Sequence, residues 1–268
     1  MKKLVTILVV LGLAGFASGA NILNVNEDFE GWGAPSTRVV GGVYSWYTGL
    51  HGDAFGVGPG LGPLQTFPSG SPAGTSCAGG TGSAGRYGSA LDFDAVSTGI
   101  VEINLDVRAG KAYASAGDET NRGWVWLQGR GSDTNEYVEI YYYNQQATLN
   151  VILKGNGMDT TIAAPVFPVD NWHRTKFQLN LSTGQMDIDW IDINDSTGAE
   201  IGGWSSMYSG DMPIDSFDYL ELATWAQGYL GGGPNYIRQF DNLVVTPEPV
   251  TLGLLALGAG LFLMRRRR

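Results

Sequence analysis

The sequence predicts an all-β fold in which two sheets pack as a sandwich around one core. Three observations support this prediction. The chain has 40 glycines among its 268 residues, it contains many short runs rich in β-branched and aromatic residues, and few of its apolar residues recur at helical spacing. Short strands separated by turn residues are typical of sandwiches. Only the two terminal segments depart from this pattern, and we expect a helix in each.

The N-terminal segment has the layout of an export signal. Residues 1–3 are Met-Lys-Lys, residues 4–16 form an apolar stretch, and residues 17–20 are the small residues Ala-Ser-Gly-Ala. A basic start, an apolar centre and a small-residue cleavage site predict a secretory signal peptide over residues 1–20. The chain is therefore expected to be exported.

The C-terminal segment, residues 247–268, contains three elements in order. It begins with Pro247, Glu248 and Pro249, and the next 15 residues, 250–264, are mostly apolar. It ends with four consecutive basic residues, which are Arg265, Arg266, Arg267 and Arg268. A membrane span needs about 20 residues, but arginine side chains can extend toward the interface and offset a shorter length. We therefore predict a transmembrane helix whose arginines stay on the cytoplasmic side.

This order of elements resembles the PEP-CTERM sorting signal of exported bacterial proteins. The Pro-Glu-Pro triplet at 247–249 distinguishes it from an ordinary C-terminal anchor, which is the alternative. The resemblance implies a partner enzyme of the exosortase type, transient anchoring in the membrane, and a final location at the cell surface or in the extracellular matrix.

The central segment, residues 21–246, is strongly acidic. It keeps 10 of the 16 Lys and Arg residues and 25 of the 26 Asp and Glu residues, which gives a net charge of about −15. This charge argues against a nucleic-acid partner. About 226 residues suit a single β-domain, and the lone Cys77 excludes an internal disulfide. Within this segment, residues 49–88 are rich in Gly, Pro, Ser and Thr and predict long loops.

The clearest strand pattern forms a hairpin. The runs 124–127 and 137–143 flank the turn-rich loop 129–135. Period-two alternation directs one set of apolar side chains toward the core, as it does in the strand 99–107. In the hairpin this set comprises Val125, Leu127, Val138, Ile140 and Tyr142.

The opposite face of the hairpin combines aromatic residues with a carboxylate. Its members are Trp124, Trp126, Tyr137, Glu139, Tyr141 and Tyr143. Sugar rings stack their apolar C–H faces on aromatic side chains, and their hydroxyls need polar partners. We therefore predict a carbohydrate-binding face here. The alternative is that another layer or a long loop covers these residues and makes them ordinary packing.

Several motifs resemble those of concanavalin A-like, laminin-G-like and jelly-roll domains. Asp28-Phe29-Glu30-x-Trp32 is similar to the first strand of such domains, and the closing segment 236–245 is similar to their last. The unit that begins at Trp172-His173 and turns at Thr183-Gly184 is similar to a strand–turn–strand unit of laminin-G-like and concanavalin-like lectin domains. The resemblance implies chain ends that meet and a structural calcium held by Glu30 and Asp241. No other cofactor is expected. The alternative is that both carboxylates are solvated.

One acidic strand resembles the catalytic strand of laminarinase-type glycoside hydrolases. Asp187, Asp189 and Asp192 follow its acid-x-acid-x-x-acid spacing, and a bulge between Trp190 and Ile191 would align all three. The family has glutamate at the two outer positions, and the shorter aspartates would misplace nucleophile and acid. We therefore expect a non-enzymatic protein, with a hydrolase that uses Asp187 and Asp192 as the minor alternative. A purely structural matrix protein without a ligand is the other alternative.

Overall fold

The computed structural model describes the body of the chain as strands and short turns. The described residues are 25–29, 38–40, 44–47, 61–62, 65–67, 77–79, 85–109, 122–129, 136–143, 149–164, 171–226 and 238–247. Every regular element in these ranges is a β-strand, which confirms the all-β prediction. None of these residues belongs to a helix long and apolar enough to cross a membrane. The predicted signal peptide, residues 1–20, and the sorting signal after Pro247 lie outside the described residues.

Among the described residues, the first sheet has eight strands. Seven follow the order β15 (Glu200–Asp211), β14 (Gln185–Ile193), β13 (Trp172–Asn180), β8 (Ile100–Ala109), β17 (Arg238–Pro247), β6 (Cys77–Gly79) and β5 (Gln65–Phe67), and β1 (Val25–Glu27) also pairs with β17. All of these pairings are antiparallel. β15 therefore lies at one edge of the described sheet.

In the described part of the chain, the second sheet has nine strands. Eight follow the order β12 (Met158–Ala164), β11 (Leu149–Gly155), β10 (Tyr137–Tyr143), β9 (Arg122–Gln128), β16 (Phe217–Ala226), β7 (Gly85–Val96), β3 (Tyr44–Tyr47) and β2 (Arg38–Val40). β4 (Leu61–Gly62) pairs with β7 in parallel, and the other described pairings are antiparallel.

The two sheets pack face to face around one apolar core. A single cluster of buried side chains draws on both sheets, for example Ile103 and Phe177 from the first and Leu127 and Leu220 from the second. The predicted inward residues of β8, β9 and β10 are buried, and they are Val101, Ile103, Leu105, Val107, Val125, Leu127, Val138 and Ile140. Burying side chains of this size stabilises the fold by about 1.5–3 kcal/mol each before entropy is counted. The sandwich prediction is therefore confirmed.

The two ends of the domain meet in the first sheet. β1 pairs with β17 in the register Val25 with Val245, which confirms the prediction that the chain ends come together. β13 and β14 form the predicted hairpin, and Gly184 closes its turn at a φ of 68°, a left-handed conformation that favours glycine. The hairpin of β9 and β10 is also confirmed, in the register Val138 with Leu127.

The prediction of long loops across residues 49–88 is wrong in part. β4, β5 and β6 lie in this segment, and β7 begins there at Gly85. These strands are short, and they pair near the ends of both sheets. Backbone hydrogen bonds between strands at such positions do not require alternating aliphatic side chains. The glycine-rich composition therefore gave no sign of these strands.

Candidate carbohydrate-binding face

The backbone register of the β9–β10 hairpin places the six predicted positions on the same side of the second sheet. Directly opposite residues in antiparallel strands share a face, and the register pairs Trp126 with Glu139 and Trp124 with Tyr141. Along β10, Tyr137 lies two residues before Glu139 and Tyr143 lies two residues after Tyr141, so both positions are on the same side of the strand. All six predicted residues therefore lie on the side of the second sheet away from Val125 and Ile140, which belong to the core. That these residues form a binding face stays a prediction.

Strand β16 extends this face on the other side of β9. Glu221 pairs with Trp126, and Tyr219 pairs with Gln128. We call the combined set the aromatic–carboxylate face. It consists of Trp124, Trp126, Gln128, Tyr137, Glu139, Tyr141, Tyr143, Tyr219 and Glu221.

Three residues of this face were not predicted from the sequence. Gln128, Tyr219 and Glu221 alternate with inward apolar residues, so the period-two signal was available. It places Tyr219 and Glu221 opposite Leu220 and Leu222, which are buried in the core. What the sequence lacked was the pairing of β16 with β9, which follows from a long-range connection.

The two glutamates are separated by one intervening strand. Glu139 on β10 and Glu221 on β16 both pair with Trp126 of β9. Since neighbouring strands lie about 4.8 Å apart, two strand spacings separate the two backbone positions. The register thus places a tryptophan position between two glutamate positions on neighbouring strands.

Both glutamates are shielded from bulk solvent. Glu139 retains 7% of its exposure and Glu221 retains none. The Tyr219 hydroxyl, itself buried, donates a hydrogen bond of 2.5 Å to Oε2 of Glu221. A buried carboxylate is costly unless it accepts hydrogen bonds, so this contact helps to hold Glu221 in the sheet.

Tyr137 lies at the partly exposed margin of the face. Partial burial raises the pKa of Tyr137 above its usual value, and the negative charges of Glu139 and then Asp159 raise it further. Desolvation and like charge both disfavour the tyrosinate form. Tyr137 is therefore a neutral hydroxyl at ordinary pH, able to donate and to accept a hydrogen bond.

The outer face of the first sheet carries a charged network of a different kind. Nε and Nη2 of Arg174 donate to the two carboxylate oxygens of Asp106 at 2.6 and 3.0 Å, and Nδ2 of Asn242 donates to the same carboxylate at 2.9 Å. Asp106 is fully buried. The hydrogen bonding of the Arg174 guanidinium to the Asp106 carboxylate is the main reason that the pKa of Arg174 is raised. We call these three residues the Arg174 network.

The predicted calcium pair is only half described. Asp241 is buried next to the Arg174 network, where it is the register partner of Asp106, and its Oδ1 accepts from the Asn242 amide at 2.9 Å. Glu30 lies outside the described residues. Within the described part of the chain, no three His, Cys, Asp or Glu side chains form a group that could hold a metal ion. The calcium site stays a prediction.

The alignment of three aspartates on β14 is wrong. β14 pairs with β13 in unbroken register from Gln185 to Asp192, so there is no bulge between Trp190 and Ile191 in that pairing. Asp187 and Asp189 consequently face outward, whereas Asp192 shares the inward side with the buried Ile188. The register shifts occur on the other side, in the pairing with β15. In the register with β13, Asp187 and Asp192 therefore lie on opposite faces of β14.

The sorting elements fall mostly outside the structure. Pro247 ends β17. The remaining predicted residues, which are Glu248, Pro249, Arg265, Arg266, Arg267 and Arg268, lie outside the described residues.

Comparisons with known proteins give weak structural similarity only. No protein-family model matches the chain, and no curated protein matches it. Similar solved structures include the carbohydrate-binding module CBM66 from Bacillus subtilis, which is 13% identical with a TM-score of 0.37, over 68% of this chain and 94% of that one. A GH131 β-glucanase catalytic domain from Podospora anserina is 9% identical with a TM-score of 0.43, over 77% and 86% of the two chains.

The chain also resembles part of a larger enzyme. A Trypanosoma rangeli sialidase solved with sialic acid is 8% identical with a TM-score of 0.46, over 85% of this chain. This chain spans only 31% of that sialidase, and 15% of another sialidase chain.

Proposed function

We propose that this protein is an exported carbohydrate-recognition module, without enzymatic activity, that binds polysaccharide through the aromatic–carboxylate face. We also propose that the domain is of the concanavalin-like or jelly-roll type. The observation that carries the proposal is the register of β10, β9 and β16, which places Trp126 between Glu139 and Glu221 on a face turned away from the core.

The chemistry of this face suits a sugar. A pyranose ring presents apolar C–H groups on one side and hydroxyls at its rim, so it needs an aromatic surface flanked by hydrogen-bond acceptors and donors. Glu139, which retains 7% of its exposure, supplies an acceptor, and the neutral hydroxyl of Tyr137 supplies a donor. The net charge of about −15 on residues 21–246 favours a neutral polysaccharide over a polyanion.

Export and sorting complete the proposal. The signal peptide would direct the chain out of the cytoplasm, and the PEP-CTERM segment would hold it in the membrane until an exosortase-type enzyme acts on it. The mature protein would then reside at the cell surface or in the matrix, where polysaccharide is available. Mass spectrometry of the protein from its native cell tests this. A chain that ends near Pro247 supports sorting, and a membrane-bound chain that retains Arg268 contradicts it.

A purely structural matrix protein is the second candidate, and the burial of the two glutamates favours it. Exposures of 7% and 0% at Glu139 and Glu221 are those of packed residues rather than of an open surface. In this alternative the same residues stabilise the sheet, and no ligand binds.

Affinity measurements on matched variants separate the two candidates. The full-length protein would be tested against laminarin, xylan, amylose and cellulose, together with Trp124→Ala, Trp126→Ala and the conservative Trp126→Phe. We expect a loss of about tenfold or more in affinity for each alanine variant, which corresponds to about 1.4 kcal/mol or more. Trp126→Phe should retain most of the affinity because it keeps an aromatic ring.

Two controls protect this interpretation. Ile201→Ala removes an exposed apolar side chain from β15, far along the other sheet, and should leave binding unchanged. Near-ultraviolet circular dichroism of each variant checks that the fold persists. Wild-type protein that binds none of the four polysaccharides, or alanine variants that bind as well as wild type, would overturn the proposed site.

A further inference from the structure

Strand β15 carries an exposed tryptophan on the opposite side of the molecule. Among the described side chains, the large apolar ones that stay exposed are Ile201, at 53%, and Trp204, at 38%. Both lie on β15, at the edge of the first sheet, and residues 200–206 are exposed throughout. An exposed tryptophan leaves a large apolar surface in water and is often a contact for a partner.

The ring of Trp204 lies on the outer face of the first sheet. Lys176 alternates along β13 with the buried Thr175 and Phe177, so its side chain points away from the core. The Lys176 ammonium lies 4.5 Å from the centroid of the Trp204 ring, and 3.6 Å from Oδ2 of Asp189. These contacts fix the ring on the same outward side and hold it in one orientation.

The chain leaves space around this ring. A Cβ atom built on Gly202 or on Gly203 would meet no described atom within 4 Å. Gly202 has a φ of 83°, which explains why glycine occurs there, but Gly203 has no such backbone requirement. The approach to Trp204 along β15 is therefore open as far as the described residues go.

Hydrogen-bond acceptors and donors lie in the rows beside the Trp204 ring. In register, Asp189 pairs with Ser206 and Asp187 pairs with Ser209, so two carboxylates and two hydroxyls line the neighbouring outward rows. Lys176 adds a donor. An isolated aromatic ring bordered by acceptors and donors suits a sugar, whereas a protein interface of stable size needs a larger apolar centre.

We propose that Trp204, with Lys176, Asp189 and Ser206, forms a second polysaccharide-contact site. It faces away from the aromatic–carboxylate face, because the two lie on the outer sides of opposite sheets. One molecule can then hold two polysaccharide chains at once and cross-link them. This inference takes its ligand class from the proposed function, but it rests on different residues.

Cross-linking of coated beads tests the second site separately from the first. Beads coated with whichever of laminarin, xylan, amylose or cellulose the wild-type protein binds would be mixed with full-length wild type, Trp204→Ala, Trp126→Ala or the control Ile201→Ala. Wild type and Ile201→Ala should aggregate the beads. Trp204→Ala should lower aggregation by about tenfold or more while it still binds single beads, because bivalent attachment is lost.

The possible results distinguish the two proposals. Aggregation by Trp204→Ala equal to that of wild type overturns the second site alone. Single-bead binding that is unchanged in Trp126→Ala but lost in Trp204→Ala overturns the first site and keeps the second. Light scattering without polysaccharide tests whether Trp204 contacts a second copy of the protein. A wild-type dimer that dissociates in Trp204→Ala would show such a contact and overturn the second site. Wild type that binds none of the polysaccharides overturns both.

Discussion

Asp106 and Glu221 are equally buried carboxylates in opposite sheets, yet their neighbours differ. Asp106 accepts two hydrogen bonds from the Arg174 guanidinium and a third from Asn242. Glu221 accepts from the Tyr219 hydroxyl and stands between Trp126 and Ala90 in the sheet register. Asp106 thus accepts from a guanidinium. Glu221 accepts from a tyrosine hydroxyl.

We interpret the Arg174 network as structural and the face that contains Glu221 as the ligand-binding surface. Arg174 and Asp106 neutralise each other at a place where β17 is bulged and Asn242 adopts a φ of 48°, so the network fixes the closing strand against β8. Glu221 instead lies within the second sheet, in register with Trp126, and accepts a hydrogen bond from the Tyr219 hydroxyl. Its register with Trp126, which also pairs with Glu139, is the arrangement on which the proposed function rests.

Removing the arginine should give the largest effect and would sharpen the comparison. Arg174→Met keeps much of the side-chain volume but leaves the Asp106 charge buried without its cation. We expect the free energy of unfolding to fall by about 3 kcal/mol, in the range for broken buried pairs. Urea denaturation measures this, and polysaccharide affinity should stay unchanged where the variant is folded.

A matched ion pair on the same sheet serves as the control. Lys176 and Asp189 are partly exposed and 3.6 Å apart, so Lys176→Met should cost at most about 1 kcal/mol. If Arg174→Met cost no more than Lys176→Met, the Arg174 network would lose its structural role, and the comparison with Glu221 would fail.

The next effect concerns the hydroxyl that holds Glu221. Tyr219→Phe removes the buried donor and should lower the free energy of unfolding by about 2 kcal/mol, as for hydrogen bonds to charged groups. The control is Tyr208→Phe, whose hydroxyl donates to the Asp211 carbonyl at 2.6 Å in an exposed position. That change should cost about 1 kcal/mol or less. Equal costs in urea denaturation would contradict a special role for Tyr219.

The smallest effect is a pH response at the margin of the aromatic–carboxylate face. The pKa of Tyr137 is raised in the folded protein, so its contribution to stability is fully present below the unfolded-state value of about 10 and is lost as pH rises through the folded-state pKa. The difference in absorbance at 295 nm between wild type and Tyr137→Phe isolates this titration. Glu139→Gln should move the pKa down, though not fully to its ordinary value, since burial remains. A pKa that Glu139→Gln leaves in place would contradict the described contact.

Local pattern predicted much of this molecule. The alternation in 99–107 and in the β9–β10 hairpin identified the inward residues, and it grouped the six aromatic and acidic residues on one face before any pairing was known. Period-two geometry is a property of each strand by itself, so such predictions need no knowledge of the rest of the chain.

Long-range pairing was beyond the sequence. Glu221 joins the face only because β16 pairs with β9, and the aspartates of β14 separate because β13 enforces an unbroken register from Gln185 to Asp192. The short strands within residues 49–88 were missed since glycine-rich segments carry no periodic signal. The exposed ring of Trp204 depended on which strand lies at the sheet edge, and no local pattern shows that.

Hydroxyl-radical footprinting, with and without a bound polysaccharide, tests the central claim most directly. It reports the solvent contact of each aromatic side chain by its rate of oxidation. We predict that Trp124, Trp126 and Tyr141 are oxidised in the free full-length protein and become protected when laminarin, or another polysaccharide from the panel, is added, while the buried Trp172 stays slow in both states. Slow oxidation of all three in the free protein, or rates that polysaccharide leaves unchanged, would contradict the account.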